Sequence, residues 1–177
     1  MFDKQYRFSG IHAEKVKRLA GVFDGISNAQ LFKRNVDIYA SAPLVGFLYG
    51  RRAEVDRTKN PETGEVYNQN VMGDRVMMSG LELMFNFQLI MLLDRDYEPD
   101  EEKRIDKAFR HPGQDTADEA RFDEYVRGGV DVLYEKLIEG AREPEDFVNR
   151  LYDFIDEFQE RFNREFDGEA ALKMCMA

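Results

Sequence analysis

The sequence predicts an all-α fold: a single-domain bundle of about six helices with a long irregular loop near residues 56–75. Three observations carry this expectation. Apolar residues recur at three- and four-residue spacings through most of the 177-residue chain. Turn-forming residues cluster between those stretches. No segment shows the sustained alternation of a half-buried strand. Hydrophobic residues make up 43% and charged residues 34%, a balance that fits a globular core and excludes both a disordered chain and an integral membrane one.

The first helix is expected over 11–23, with Ile11, Val16, Leu19, Ala20 and Phe23 on one side, Ser9-Gly10 before it and Asp24-Gly25 after it. A second begins after Ser27-Asn28 and carries Leu31, Phe32, Val36, Ile38 and Tyr39 into the apolar block SAPLVGFLYG. Pro43 lies inside that block, so a kinked or broken helix is expected there. Tyr39, Ala42, Gly46 and Gly50 recur at three- and four-residue spacings, and small residues so placed let a neighbouring helix approach closely. The block is too short to span a bilayer, which takes about 20 residues.

Residues 56–75 break all periodicity through Asn60-Pro61, Thr63-Gly64 and Gly73-Asp74. A hairpin around ETGEVY is an alternative to a continuous loop there. The next helix, from Leu81 to Leu93, is polar only at Glu82, Asn86 and Gln88, which predicts a buried central helix. Five of the eight methionines fall between Met72 and Met91, where they suit core filling or an adaptable binding surface. Pro99-Asp100 opens a helix that ends at His111-Pro112-Gly113. Asp115 or Thr116 caps another, running to Gly140. Gly128-Gly129 inside it weakens the helix by about 1 kcal/mol per residue, so the pair predicts close packing or a kink. Pro144 starts the last helix, whose face is Phe147, Leu151, Phe154, Ile155, Phe158 and Phe162. Asp153, Asp156, Glu157 and Glu160 are expected on its solvated side, and residues 167–177 as a frayed tail.

Net charge is −10, divided unevenly: residues 1–59 carry +5 and the rest −15. Such polarity suggests two electrostatic faces, which neutralise each other within the fold or across a contact. The single cysteine, Cys175, forms no internal disulfide, and the charged opening MFDKQYRFSG has no apolar signal core. Both predict a cytoplasmic chain.

Catalytic signatures are missing. HExxH, the Glu-x-x-His pair of di-iron bundles, CxxC, GxSxG and the Gly-rich phosphate loops do not occur. No metal, cofactor or catalytic residue is assigned. Of two constellations, the acidic residues 94–106 read as a solvated turn and helix start, or as a dock for a basic partner or the Arg51-Arg52 region. The one with ligand chemistry combines Tyr39, Tyr49, Arg51 and Arg52 with Lys33 and Arg34. Guanidinium forks and lysine suit phosphate or carboxylate, and tyrosine stacks or hydrogen-bonds. The leading expectation is a non-enzymatic helical subunit or adaptor, in a multi-protein assembly of bacterial style, acting through a protein partner or self-association and not on a membrane. One alternative is a nucleic-acid-associated protein using residues 1–59, in DNA processing or phage defence. The other is an enzyme or receptor for a small anion.

Overall fold

The computed structural model describes residues 1–162; the expected tail at 167–177 and Cys175 lie outside them. Strand β1 (Tyr6–Ser9) leads into α1 (Gly10–Leu19), followed by a small hairpin of β2 (Val22–Asp24) and β3 (Ala29–Gln30). Then come α2 (Asn35–Leu48), β4 (Asn68–Val71), α3 (Gly73–Met78) and α4 (Gly80–Leu93). Helix α5 (Glu101–Ile105) continues into a π-helical turn (Asp106–Arg110), and α6 (Thr116–Leu137) and α7 (Pro144–Phe162) complete the order.

The all-α expectation is therefore corrected. Two two-stranded antiparallel sheets, β1–β4 and β2–β3, accompany the helices. In the first, Tyr6 pairs with Val71 and Ser9 with Asn68. A four-residue strand paired with NQNV some sixty residues away leaves no periodic signal, because backbone hydrogen bonds and not side chains define it. Residues 56–75 are likewise not one continuous loop. Asn60 and Glu65 close a turn (Asn60 N to Glu65 O, 2.8 Å), Lys59 bridges Val66, and the segment ends in β4 and the start of α3. Asp56 pins its beginning to α1: the carboxylate accepts from Ile11 N at 2.6 Å and from Thr58 N at 2.9 Å. It thus satisfies an amide at the open end of α1, which Ser9 does not do.

Helix α2 is continuous through Pro43 rather than broken. Buried Asn86 of α4 donates to the Ala40 carbonyl at 2.8 Å, and Ser41 Oγ donates to the Asp37 carbonyl at 2.9 Å. These side chains bind backbone carbonyls in the turn that the proline perturbs. The helix ends in a Schellman motif: Arg51 N donates to Gly46 O at 2.8 Å, Gly50 N to Phe47 O at 3.0 Å, and Gly50 has φ +63°.

The most extensive helix–helix interface joins α2 to α6. Its seam has almost no side chain. A Cβ at Gly129 would overlap the Ala42 carbonyl, one at Gly128 the Arg51 carbonyl, and one at Gly46 the Tyr125 carbonyl. The small residues expected to admit a neighbour do so at Ala42 and Gly46, and Gly128-Gly129 supplies the opposite surface. Around this seam pack Ile38, Tyr39 and Val45 of α2, Phe122, Val126 and Val130 of α6, and Leu83, Phe87 and Ile90 of α4.

Backbone cannot yield as a side chain does. Gly129→Ala is therefore expected to lose about 2 kcal/mol or more in urea unfolding, despite gaining roughly 1 kcal/mol of helix propensity. Gly80→Ala, with nothing within 4 Å of its Cβ, serves as the control and should be neutral or slightly stabilising. Equal midpoints for the two variants would show that the seam has room to spare.

Candidate interaction surface

Helix α4 is apolar around most of its circumference, and the fold covers only part of it. Leu83, Phe87, Ile90 and Met91 are buried, and Asn86 is held against α2. On the outer side Leu81 is 91% exposed and Phe85 62%, and in the preceding α3 Met77 is 63% and Met78 77% exposed. The expectation of a fully buried central helix holds for one face alone. Periodicity could not separate the faces, since both are apolar. At roughly 200 Å² per large side chain, these four residues expose about 600 Å². That is at the upper end of what a typical monomer shows in one patch. Arg75 and Glu82 are exposed on the same two helices.

A buried polar frame holds the C-terminal end of α4. Asp94, 3% exposed, accepts from Arg121 Nε at 2.8 Å, from the Tyr125 hydroxyl at 2.8 Å and from Tyr97 N at 3.1 Å. Arg104 is buried and donates to the carbonyls of Leu92, Glu98 and Pro99 at 2.8–2.9 Å. Its guanidinium thereby covers the end of the helix and the turn after it. Asp118 is buried, accepting from Lys107 Nζ at 2.6 Å and the Tyr97 hydroxyl at 2.7 Å. The Tyr97 and Tyr125 phenols are pushed up by burial and by the carboxylates they donate to, so both stay protonated donors. Residues 94–106 were expected as a solvated acidic turn. Asp94 and Arg104 are instead structural, a role invisible in a sequence whose partners lie on α6.

The six residues with expected ligand chemistry are distributed along α2 and beyond both its ends. Lys33 and Arg34 precede the helix, Arg51 and Arg52 follow it, and its 14 residues span about 21 Å. Tyr39 is buried and stacks on Tyr6 with ring centroids 4.1 Å apart. Tyr49 stacks on Phe154 of α7 and its hydroxyl donates to Glu157 at 3.2 Å, while Arg161 lies over its ring. Glu157, expected in solvent, also receives Lys136 Nζ at 2.6 Å. Arg34 pairs with Asp37, Arg51 with Glu135 at 2.8 Å and Arg52 with Glu124 at 3.6 Å. Lys33 is exposed. Arg51 and Arg52 do share one open depression, of about 370 Å³, with Glu54 and Glu124.

Lys15 reaches Asp131 at 2.7 Å, and buried His12 lies 3.4 Å from the same carboxylate. Burial raises Asp131, but bonds from His12 and Lys15 outweigh it and hold it below the usual carboxylate range. Among the described residues no group of three or more His, Cys, Asp or Glu side chains is placed to hold a metal ion. No described helix is long and apolar enough to cross a membrane. Comparison with protein-family models, characterised proteins and solved structures finds no match for this chain.

The Asp94 frame fixes how α4 is presented, and its removal should be costly. Asp94→Asn leaves the buried Arg121 guanidinium with only the half-exposed Glu124 carboxylate, 3.5 Å from its Nη1, and is expected to cost about 3 kcal/mol in urea unfolding. Asp94→Leu combined with Arg121→Leu should lose less than Asp94→Asn alone, since no under-compensated buried charge remains. A loss from Asp94→Asn under about 1 kcal/mol would show that the frame does not hold the helix.

Proposed function

We propose that the protein is a non-enzymatic helical subunit that works through protein contacts, with the outer face of α3 and α4 as its contact. The carrying observation is the exposed row Met77, Met78, Leu81 and Phe85 on helices whose other side is core. An apolar helix face with core packing behind it and a buried polar frame at its end is a rigid, preorganised surface. Burying it releases water without first ordering the chain. Methionine lets such a surface adapt to a partner.

The occupant this reading assigns is a second copy of the chain. A two-fold axis passing near Ser79 pairs the helices antiparallel and makes the contact isologous. In that register Arg75 of one copy faces Glu82 of the other, and Met72, 66% exposed, faces Phe85. Opposite charges meet at the rim although the molecule as a whole is acidic. Two such faces bury about 1,200 Å² together, the lower end of the range for a specific interface. A weak, concentration-dependent dimer follows.

Sedimentation from about 1 μM to about 100 μM should show a monomer–dimer transition in the wild-type protein. Leu81→Lys with Phe85→Glu should abolish it without lowering the unfolding midpoint, because both side chains are in solvent. A wild-type protein that stays monomeric, or a dimer that survives both substitutions, would overturn the reading.

A further inference from the structure

A second feature stands apart from the α4 face. The N-terminal segment folds across α2 and α6 and leaves a cleft of about 240 Å³. Four aromatic rings wall it. Tyr6 of β1 stacks on Tyr39 of α2, and Phe2 meets Tyr39 and Phe122 edge-on at 6.5 and 5.6 Å. Phe2 adopts φ +47° to reach this position, a conformation that costs a non-glycine residue energy. Helix α6 contributes Glu119, Phe122 and Asp123 from one face, spaced three and four residues apart.

Arg127 meets the Tyr6 hydroxyl of the cleft, but the cleft carboxylates accept no hydrogen bond among the described residues. The carboxylates of Glu119 and Asp123 have no hydrogen bond or ion pair among the described residues. Tyr39 is 4% exposed, and its hydroxyl likewise has no hydrogen-bond partner among those residues. Arg127 is the cation that bears on Asp123 and Tyr6, but its Nε is engaged by the Ala53 carbonyl at 2.8 Å. Lys4 at the rim is exposed, and the N-terminal ammonium lies 3.8 Å from Asp3. Burial pushes the Asp123 carboxyl up to about 6, with Glu119 adding to the rise and Arg127 opposing it. Desolvated carboxylate beside aromatic faces is a receptor for positive charge.

We propose that this cleft binds a small organic ammonium ion, with Asp123 as counter-ion and the rings of Phe2, Tyr6, Tyr39 and Phe122 as its walls. The charge is opposite to the anion chemistry that Tyr39 suggests beside its basic neighbours in sequence. Two carboxylates exclude phosphate, and aromatic walls suit a weakly hydrated alkylammonium better than a hard metal ion. The volume falls below the roughly 300–1,000 Å³ of drug-sized sites, so the ligand is small. Because binding requires ionised Asp123, it weakens as pH falls through about 6, and occupancy draws the carboxyl's titration downward.

Tetramethylammonium chloride, titrated against sodium chloride at matched ionic strength and followed by NMR of Tyr6 and Tyr39, tests this directly. The expected result is saturable binding at about pH 8, weaker by about tenfold near pH 5. Asp123→Asn should lose it by a similar factor, and Tyr39→Leu by several-fold. Asp123 accepts no hydrogen bond among the described residues, and Arg127 keeps its bond to the Ala53 carbonyl, so Asn is expected to fold. If that variant does not fold, the wild-type pH profile and the titration of the Asp123 carboxyl with and without ligand decide. Shifts that do not saturate, an affinity unchanged between the two pH values, or binding that persists in folded Asp123→Asn would each overturn the proposal.

Discussion

Where α6 crosses α2, backbone meets backbone. Gly128 and Gly129 lie against the carbonyls of Arg51 and Ala42, and Gly46 lies against that of Tyr125. Glycine in a helix interior is destabilising on its own account, so three glycines at one crossing are retained for what they admit. What they admit is an approach that no side chain separates. Val45, Val126 and Val130 beside the crossing belong to the one close-packed core cluster. The end of α2 belongs to the same device. The Schellman turn at Gly50 directs the Arg51 carbonyl onto Gly128, so the cap and the crossing are one structure.

Everything else is placed by that pair. Helix α4 packs one side against it, with Asn86 reaching the perturbed turn of α2, and the Asp94 frame ties its far end to Arg121 and Tyr125 of α6. The outer side of α4 is then left over, which is how an almost wholly apolar helix comes to lie half in solvent. The ends of α6 serve two further purposes: Glu119 and Asp123 face the N-terminal cleft, and Glu135 and Lys136 receive Arg51 and α7. The basic N-terminal third meets acidic α6 through Lys15–Asp131, Arg51–Glu135 and Arg52–Glu124. The exposed pairs among these contribute at most about 1 kcal/mol each. They orient the surface more than they stabilise it.

How much of this was legible in the sequence depended on whether the cause was local. Asp115 caps its helix as expected, accepting from Ala117 N at 2.9 Å, because a cap is written within four residues. Asp100, expected within the first turn behind Pro99, is itself the cap and accepts from Lys103 N at 2.9 Å. Gly128-Gly129 and the Ala42–Gly46 spacing foretold a close approach, though not that each would meet the other. The β1–β4 pairing was hidden because its partner strand is polar and remote. Asp94 and Arg104 looked like ordinary surface charges because burial is decided by elements elsewhere in the chain. Of the site residues, only Arg51 and Arg52 come together, and the others separate because α2 stays whole through Pro43 and holds them a helix apart. The apolar outer face of α4 was visible as composition and not as exposure. Its two sides differ only in what the rest of the fold supplies to cover them.

Native-state hydrogen exchange tests the central claim, that the α2–α6 crossing organises the molecule. Amides of residues 38–48 and 122–133 should share the highest protection and exchange only through global unfolding. Amides of α7, none of whose side chains is fully buried, should open at lower free energy. If α2 instead opened independently while α6 stayed protected, the seam would be a contact made late between separately stable parts, and the account given for the fold would not stand.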